Sequence, residues 1–190
     1  MFRNLVLVGF MGSGKSSVGR ILSSLTGFAL VDTDTLVAQE AGQSINAIFK
    51  QHGEEYFRAL EAKTLRSLVG RIGLIVATGG GVVTVAENRG ILPQIGPVVW
   101  LDASPEQLYQ RVKHSKRPLL QTDDPRSTVE NLYRSRHPFY REVATVHIDS
   151  GSLTHRQTAE AVLAAVQRQE NPLPPRGSGR GNFDTRPGDL

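Results

Sequence analysis

Short apolar segments alternate with longer amphipathic segments along the chain, and this alternation predicts its secondary structure. The short segments are almost continuously apolar, as in parallel strands that are covered on both faces. We expect strands at 5–8, 28–31, 74–77, 98–101 and 144–148. The segments between them have helical periodicity. The alternation of strands and helices therefore predicts a three-layer α/β fold with right-handed crossovers.

The starts of several helices carry recognisable capping sequences. Segments 84–87, 104–107 and 154–157 each place Ser or Thr three residues before Glu or Gln. In such a capping box the two side chains accept hydrogen bonds from otherwise unpaired backbone N–H groups. Pro105 fits the first position of a helix, where a missing N–H costs nothing. Residues from about 53 to 69 predict a further helix.

Two segments lack this alternating pattern. Residues 113–125 are polar, contain two prolines and lie between predicted helices, so we expect a mobile lid there. Residues 171–190 are rich in Pro, Gly and Arg and have little to bury, which predicts a disordered tail. The predicted organisation is therefore one domain over residues 1–170, followed by the tail.

Composition narrows the function classes only slightly. The 190 residues carry a net charge of +4 that is spread along the chain, which does not by itself argue for nucleic-acid binding. The absence of cysteine excludes disulfides, thiolate chemistry and cysteine-bound zinc. No apolar stretch approaches the roughly 20 residues of a membrane span. We therefore expect a cytoplasmic protein, and its five histidines do not cluster at metal-ligand spacing.

The strongest chemical signal is a glycine-rich loop between the first predicted strand and a helix. Residues 9–16 read GFMGSGKS and fit the pattern G-x-x-x-x-G-K-[ST], in which backbone N–H groups surround phosphate oxygens. Lys15 should reach the β- and γ-phosphates of a nucleotide, and Ser16 should bind Mg²⁺. The alternative is a glycine turn with a purely structural role.

A pair of carboxylates follows the second predicted strand. Asp32 and Asp34 lie at the carboxyl edge of the sheet, where open α/β folds bind ligands. Together they can hold Mg²⁺ and accept a hydroxyl proton. Alternatively, Asp32 caps the next helix while Asp34 is solvated.

The remaining signals are ambiguous when each is taken alone. Arg58 and Glu61 share a helix face and can be a surface ion pair, while the glycines at 79–81 allow close approach of a ligand or form a flexible turn. Arg117 in the expected lid can stabilise transferring charge or be an exposed loop residue. Arg136 can hold a carboxylate bidentately or complement a helix dipole.

Taken together and in this order, the motifs resemble those of the shikimate kinase family. The resemblance covers roughly residues 3–168. The segments that carry it are GFMGSGKSSVGR at 9–20, DTD at 32–34, FRALE at 57–61, ATGGG at 77–81, RPLL at 117–120 and YRSRHPFYREVA at 133–144. One departure is Ser17, because the family usually has Thr at that position.

This resemblance implies a fold, a reaction and a nucleotide site. The fold would be a five-stranded parallel sheet in the order 2-3-1-4-5, and the reaction would move the γ-phosphoryl of ATP to the 3-hydroxyl of shikimate. Arg111 and residues 150–153 would flank adenine. Mg²⁺ would be held by Ser16 and, through water, by Asp32. The ATP phosphates would contact Gly12, Ser13, Gly14, Lys15, Ser16, Ser17 and Arg117.

The resemblance also implies a substrate site and the groups that perform the chemistry. Asp34 would bind the hydroxyls of shikimate, and Arg58 and Arg136 would bind its carboxylate. The backbone of Gly79, Gly80 and Gly81 would line the same pocket. The catalytic residues would be Lys15, Asp34 and Arg117.

Other functions remain as alternatives at this point. Gluconate kinases and nucleoside monophosphate kinases share the loop and the sheet but lack the full set of motifs. A GTPase-type switch would need an N-K-x-D tetrapeptide, which does not occur in the chain. A non-catalytic relative would be expected to lose Lys15, Asp34 or Arg117, and all three are present. The expected partners are ATP and a small-molecule acceptor, without nucleic acid or membrane, and we expect a monomer.

Overall fold

The computed structural model describes residues 2–115 and 118–170. Their strands form a five-stranded parallel sheet in the order 2-3-1-4-5, numbered along the chain. The predicted sheet and its strand order are confirmed. Predicted and observed strand ends differ by at most two residues, the larger difference being in the last strand. The strands are β1 Asn4–Val8, β2 Ala29–Asp32, β3 Leu74–Ala77, β4 Val98–Asp102 and β5 Val146–Asp149.

Helices connect successive strands and cover both faces of the sheet. Along the described chain, the first and last helices pack on one face of the sheet, and the third to sixth helices pack on the other. They are α1 Lys15–Thr26, α2 Thr33–Ala41, α3 Ile45–Leu68, α4 Ala86–Ile95, α5 Pro105–Val112, α6 Pro125–Val143 and α7 His155–Glu170, with short 3₁₀ turns at Val82–Thr84 and Pro118–Leu120.

The central strand β1 shows why the apolar segments are continuous. Leu5 and Leu7 belong to the core shared with α1 and α7, whereas Val6 and Val8 belong to the core on the opposite face. All four side chains are fully buried. A strand between two helical layers must be apolar at every position, so the three-layer prediction is confirmed.

Two of the three predicted capping boxes are present. The Ser104 hydroxyl accepts from the backbone of Gln107 while the Gln107 side chain accepts in return, and Thr154 and Gln157 do the same. The prediction at Thr84 is wrong. Its hydroxyl donates to the carbonyl of Gly81 at 2.7 Å within a 3₁₀ turn, and α4 begins only at Ala86.

Helix α3 is longer than the sequence predicts and is interrupted where the prediction began. It extends from Ile45 to Leu68, with Ser44 as its N-cap, and Gly53 within it has φ 80° and ψ 178°. This left-handed φ favours glycine and breaks the regular helix. The segment after the kink carries Arg58 and Glu61, and Arg58 lines a cavity together with the glycines that follow β3.

Arg117 and the tail at 171–190 lie outside the described residues. The role of Arg117 and the disorder of the tail therefore stay predictions, and so does the mobility of the expected lid. Within residues 2–115 and 118–170, no helix is both long enough and apolar enough to cross a bilayer.

Candidate active site

The glycine-rich loop joins β1 to α1 at the carboxyl edge of the sheet. Gly14, with φ 93°, is the N-cap of α1, and no side chain of the described segments caps this helix. The first N–H groups of α1 are therefore left for a ligand, and the helix dipole favours an anion. This geometry is typical of a phosphate site.

Lys15 is held inside this loop. Its Nζ donates to the carbonyl oxygens of Gly9 at 2.7 Å and Phe10 at 2.9 Å, and to Ser13 Oγ at 3.3 Å. The side chain is buried, yet Lys15 lines the cavity in front of the loop. A buried ammonium held at the mouth of an anion site is placed to contact phosphate oxygens.

Asp32 makes two hydrogen bonds, and the first of them is the helix cap that the sequence offered as one alternative. One of its oxygens caps α2 by accepting from the backbone of Thr35 at 3.2 Å, and the other accepts from Ser16 Oγ at 3.0 Å. The hydroxyl and the carboxylate are hard oxygen ligands of the kind that Mg²⁺ prefers. The described segments contain no group of three or more His, Cys, Asp or Glu side chains able to hold a metal, so a Mg²⁺ here would take its other ligands from phosphate and water.

A cavity of about 340 Å³ lies over the loop. Most residues of the predicted ATP site line it, namely Gly12, Gly14, Lys15, Ser16, Ser17 and Arg111. Ser13 does not line it, because Ser13 is a buried residue of the loop whose hydroxyl accepts from Lys15. Arg111 donates to the carbonyl oxygens of Gly12 at 3.3 Å, Gly151 at 3.4 Å and Ser150 at 3.5 Å. Arg111 thus connects the loop to the segment that follows β5.

His155 also lines this cavity, although the sequence analysis did not assign it a role. Its ring packs so close to the loop that a Cβ on Gly14 would lie 3.3 Å from it. Its only sequence signal is its place directly after the Thr154 cap. The topology brings that end of α7 to the carboxyl edge of the sheet.

A second, smaller cavity of about 80 Å³ adjoins the first. Asp34 and Gly80 line both cavities. Every residue of the predicted substrate site lines the second one: Asp34, Arg58, Gly79, Gly80, Gly81 and Arg136. Its other walls are mainly apolar and include Ile45, Phe49, Phe57 and Leu119. This cavity therefore presents two guanidinium groups and one carboxylate against a hydrophobic surface.

The pair between Arg58 and Glu61 is a buried ion pair and not a surface one. Arg58 Nη1 donates to Glu61 Oε2 at 2.9 Å, and the Glu61 side chain is fully buried. Asn88 Nδ2 also approaches that oxygen, at 3.4 Å, while Glu61 Oε1 has no hydrogen-bond partner within the described part of the chain. Burial raises the pKa of Glu61 to about 7, although the charge of Arg58 opposes this.

Replacing Glu61 should remove a pH dependence of stability. The pKa of Glu61 is higher in the folded protein than its ordinary value of 4.5, so stability from this group is present at low pH and is lost as pH rises towards 7. Relative to Glu61→Gln, the wild-type free energy of unfolding should fall by on the order of 3 kcal/mol between about pH 4.5 and 7.5. Urea unfolding of both proteins measures this difference.

Glu87→Gln is the matched control for that comparison, because its carboxylate is half exposed and pairs with Arg66 at the surface. The stability profile of Glu87→Gln should run parallel to that of the wild type. A Glu61→Gln profile that is also parallel would contradict the raised pKa.

Arg136 carries the other guanidinium of the smaller cavity. It is 4% exposed, donates to the carbonyl of Gly80 at 3.4 Å and lies 5.7 Å from the Phe10 ring centre. Among the described residues no carboxylate forms an ion pair with it. Burial lowers the pKa of Arg136, and repulsion from Arg58 adds to this effect. An anion placed between the two guanidinium groups would relieve that repulsion.

The glycine triplet is tightly packed and is not a flexible turn. A Cβ on Gly79 would lie 2.6 Å from Asp34 Oδ1 and 2.9 Å from Glu61 Oε1, and one on Gly81 would lie 2.1 Å from Arg58 Nη2. Side chains at these positions would displace the charged groups of the cavity. The N–H of Gly79 donates to Thr33 Oγ1 at 3.1 Å, so this N–H is already used within the protein.

The sequence of the chain is similar to those of known shikimate kinases. A sequence model described as shikimate kinase matches residues 11–167. The chain is 44% identical to a shikimate kinase of Cupriavidus pinatubonensis over 165 residues, which is 86% of either chain. It is 47% identical to one of Parasynechococcus marenigrum over 173 residues, which is 90% of this chain and 81% of the relative.

A solved structure matches as well. The shikimate kinase from Acinetobacter baumannii in complex with shikimate superposes with a TM-score of 0.87 at 38% identity. The match covers 90% of this chain and 96% of the solved chain.

Proposed function

Since the chain belongs to the shikimate kinase family, we propose that it transfers the γ-phosphoryl group of ATP to the 3-hydroxyl of shikimate, giving shikimate 3-phosphate and ADP. One observation carries the assignment of the site. The smaller cavity, with its two guanidinium groups, adjoins the larger cavity over the glycine-rich loop, and Asp34 lines both cavities. The charged groups that line the smaller cavity suit a polyhydroxylated carboxylic acid, and the glycine-rich loop and Lys15 of the larger cavity suit the phosphates of a nucleotide.

The larger cavity is proposed to bind Mg-ATP. The N–H groups at the start of α1 and the Lys15 ammonium would hold the phosphates, and Arg111 with the segment after β5 would flank the base. Ser16 and Asp32 would hold Mg²⁺, which neutralises phosphate charge when bound. The hydrogen bond between Ser16 and Asp32 supports this assignment, because it brings two oxygen ligands together.

The smaller cavity is proposed to bind shikimate. Its carboxylate would lie between Arg58 and Arg136, as paired guanidinium forks favour. Asp34 would contact the hydroxyls and orient the 3-hydroxyl towards the loop. The apolar walls, including Phe49 and Phe57, would pack against the carbon ring.

Transfer is proposed to proceed in line, with the 3-hydroxyl oxygen attacking the γ-phosphorus and ADP leaving. Such transition states are loose, so positioning and charge neutralisation dominate the rate enhancement. Asp34 holds the hydroxyl and accepts its proton. Lys15 and Arg117, the latter from the expected lid, stabilise charge on the transferring group.

A sibling kinase acting on gluconate is the alternative function. It would share the phosphate loop and the sheet, but the family match and the full set of substrate-site residues favour shikimate. A non-catalytic ATP-binding relative is disfavoured because Lys15 and Asp34 both line the expected cavities.

Release of ADP from Mg-ATP with different acceptors tests the proposed function. Purified protein should release ADP with shikimate and show only background with gluconate or AMP. Turnover with gluconate or AMP instead would keep the kinase class and discard the substrate roles of Arg58 and Arg136. Tight ATP binding without turnover on any acceptor would favour a non-catalytic protein.

A further inference from the structure

Arg58 contacts a second carboxylate that no part of the proposed function uses. Its Nε and Nη2 donate to Glu54 Oε1, at 3.2 Å and 2.9 Å, while Nη1 donates to Glu61. Glu54 therefore occupies the side of the guanidinium formed by Nε and Nη2. A planar guanidinium offers this side to a carboxylate in bidentate pairs.

The two carboxylates on Arg58 differ sharply in environment. The Glu61 side chain is fully buried, whereas that of Glu54 is 47% exposed. Removing the partner of a buried charge is costly, but an exposed carboxylate that leaves its partner is readily solvated. Separating Arg58 from Glu61 is thus the costlier change, and separating it from Glu54 the less costly one.

Exchange of Glu54 would leave the guanidinium in place. Glu61 holds Arg58 from the buried side, and the ring of Phe57 lies 5.1 Å from the Arg58 guanidinium carbon. Glu54 directly follows the kink at Gly53, so it stands at the beginning of the second segment of α3. Both carboxylates raise the pKa of Arg58 against the effect of burial, and its charge is therefore compensated before any substrate is bound.

We propose that Glu54 is a displaceable internal counter-ion of Arg58, which the substrate carboxylate must replace or outcompete. This role rests on the proposed function, because it requires that Arg58 bind a carboxylate of the substrate. Glu54 weakens the attraction of the cavity for anions in general. A ligand gains from displacing it only when it also engages Arg136, which has no carboxylate partner among the described residues. Glu54 thereby favours an acid that spans both guanidinium groups over small anions that reach one.

Replacing Glu54 should therefore tighten the binding of shikimate. Glu54→Gln keeps the size of the side chain and removes its charge. We expect its KM for shikimate to fall about two- to five-fold, as for loss of a partly exposed ion pair. The change should fall on KM and not on kcat, because Glu54 does not contact the reacting hydroxyl.

Glu55→Gln is the matched control. Glu55 is the exposed neighbour of Glu54 and forms no ion pair within the described segments, so its replacement changes the net charge equally without touching Arg58. Shikimate methyl ester is the matched substrate, since it has no negative charge to compete with Glu54. Its KM should be the same for Glu54→Gln and the wild type.

Each outcome bears on the proposal. A KM for shikimate that stays constant or rises in Glu54→Gln, or falls equally in Glu55→Gln, would overturn it. An equal fall of KM for the methyl ester would overturn it too. A wild-type enzyme that uses shikimate and its ester with equal KM would instead contradict the carboxylate contact of Arg58 in the proposed function, and this role would fall with it.

Discussion

Asp34→Asn should lower kcat with shikimate by about 10²- to 10⁴-fold, the range for loss of a general base. Asp34 lines both cavities, and the amide of Asn keeps its shape but cannot accept the hydroxyl proton at neutral pH. The KM for ATP should change little, because the phosphate loop and Lys15 remain. Steady-state ADP release at saturating shikimate measures the effect.

Asp123→Asn provides the control for Asp34→Asn. Asp123 is exposed and lies in the segment of the expected lid, so the same chemical change there should leave kcat close to that of the wild type. Near-normal turnover in Asp34→Asn, with the fold intact by circular dichroism, would rule out both the proton-accepting and the orienting role of Asp34.

Lys15→Met should lower kcat by about 10²- to 10³-fold, the effect of removing one preorganised donor to developing charge. Met fills a similar volume without the ammonium. The carbonyl oxygens of Gly9 and Phe10 would also lose the ammonium as a donor, while the carbonyl of Phe10 would keep the N–H of Ser13. The loop should therefore become less ordered and ATP should bind more weakly. Single-turnover transfer at saturating ATP separates the loss of chemistry from the loss of binding.

Lys50→Met is the matched variant for Lys15→Met. Lys50 is exposed on α3, and its replacement should leave both turnover and ATP affinity near wild-type values. A Lys15→Met enzyme that loses only ATP affinity and keeps its single-turnover rate would show that Lys15 binds phosphate without stabilising the transition state.

The general architecture could be predicted from local patterns because those patterns reflect burial on both faces of the sheet. Val6 and Leu7 face opposite helical layers, and a strand in that position must be apolar throughout. The phosphate loop was equally predictable. Its spacing, with Gly14 as the N-cap of α1, is a local requirement of one strand–loop–helix unit.

The features that the sequence analysis missed depend on contacts between distant segments. Whether Glu61 is exposed or buried depends on the packing of α3 against α4, where Asn88 approaches its carboxylate. Thr84 matches a capping pattern, but the carbonyl of Gly81 is within reach of its hydroxyl. His155 lines the larger cavity because α7 packs beside α1. Periodicity along the chain does not encode such pairings.

The smaller cavity combines charged side chains with a hydrophobic surface. Gly79 and Gly81 give the charged groups room, since a Cβ at either position would contact Asp34 or Arg58. Burial raises the pKa of Glu61, the residue that holds Arg58, so burying this carboxylate costs stability at neutral pH. The cavity thus exchanges some stability for a fixed arrangement of guanidinium groups.

The proposed reaction moves the phosphoryl group from ATP to one particular hydroxyl of shikimate. Phosphorus–proton correlation NMR of the products, formed from Mg-ATP and shikimate by the full chain, identifies that hydroxyl. The proposed function predicts a new phosphate ester resonance coupled to the proton on carbon 3, appearing in step with ADP. Inorganic phosphate as the only new phosphorus species besides ADP, or coupling to a different ring proton, would contradict it.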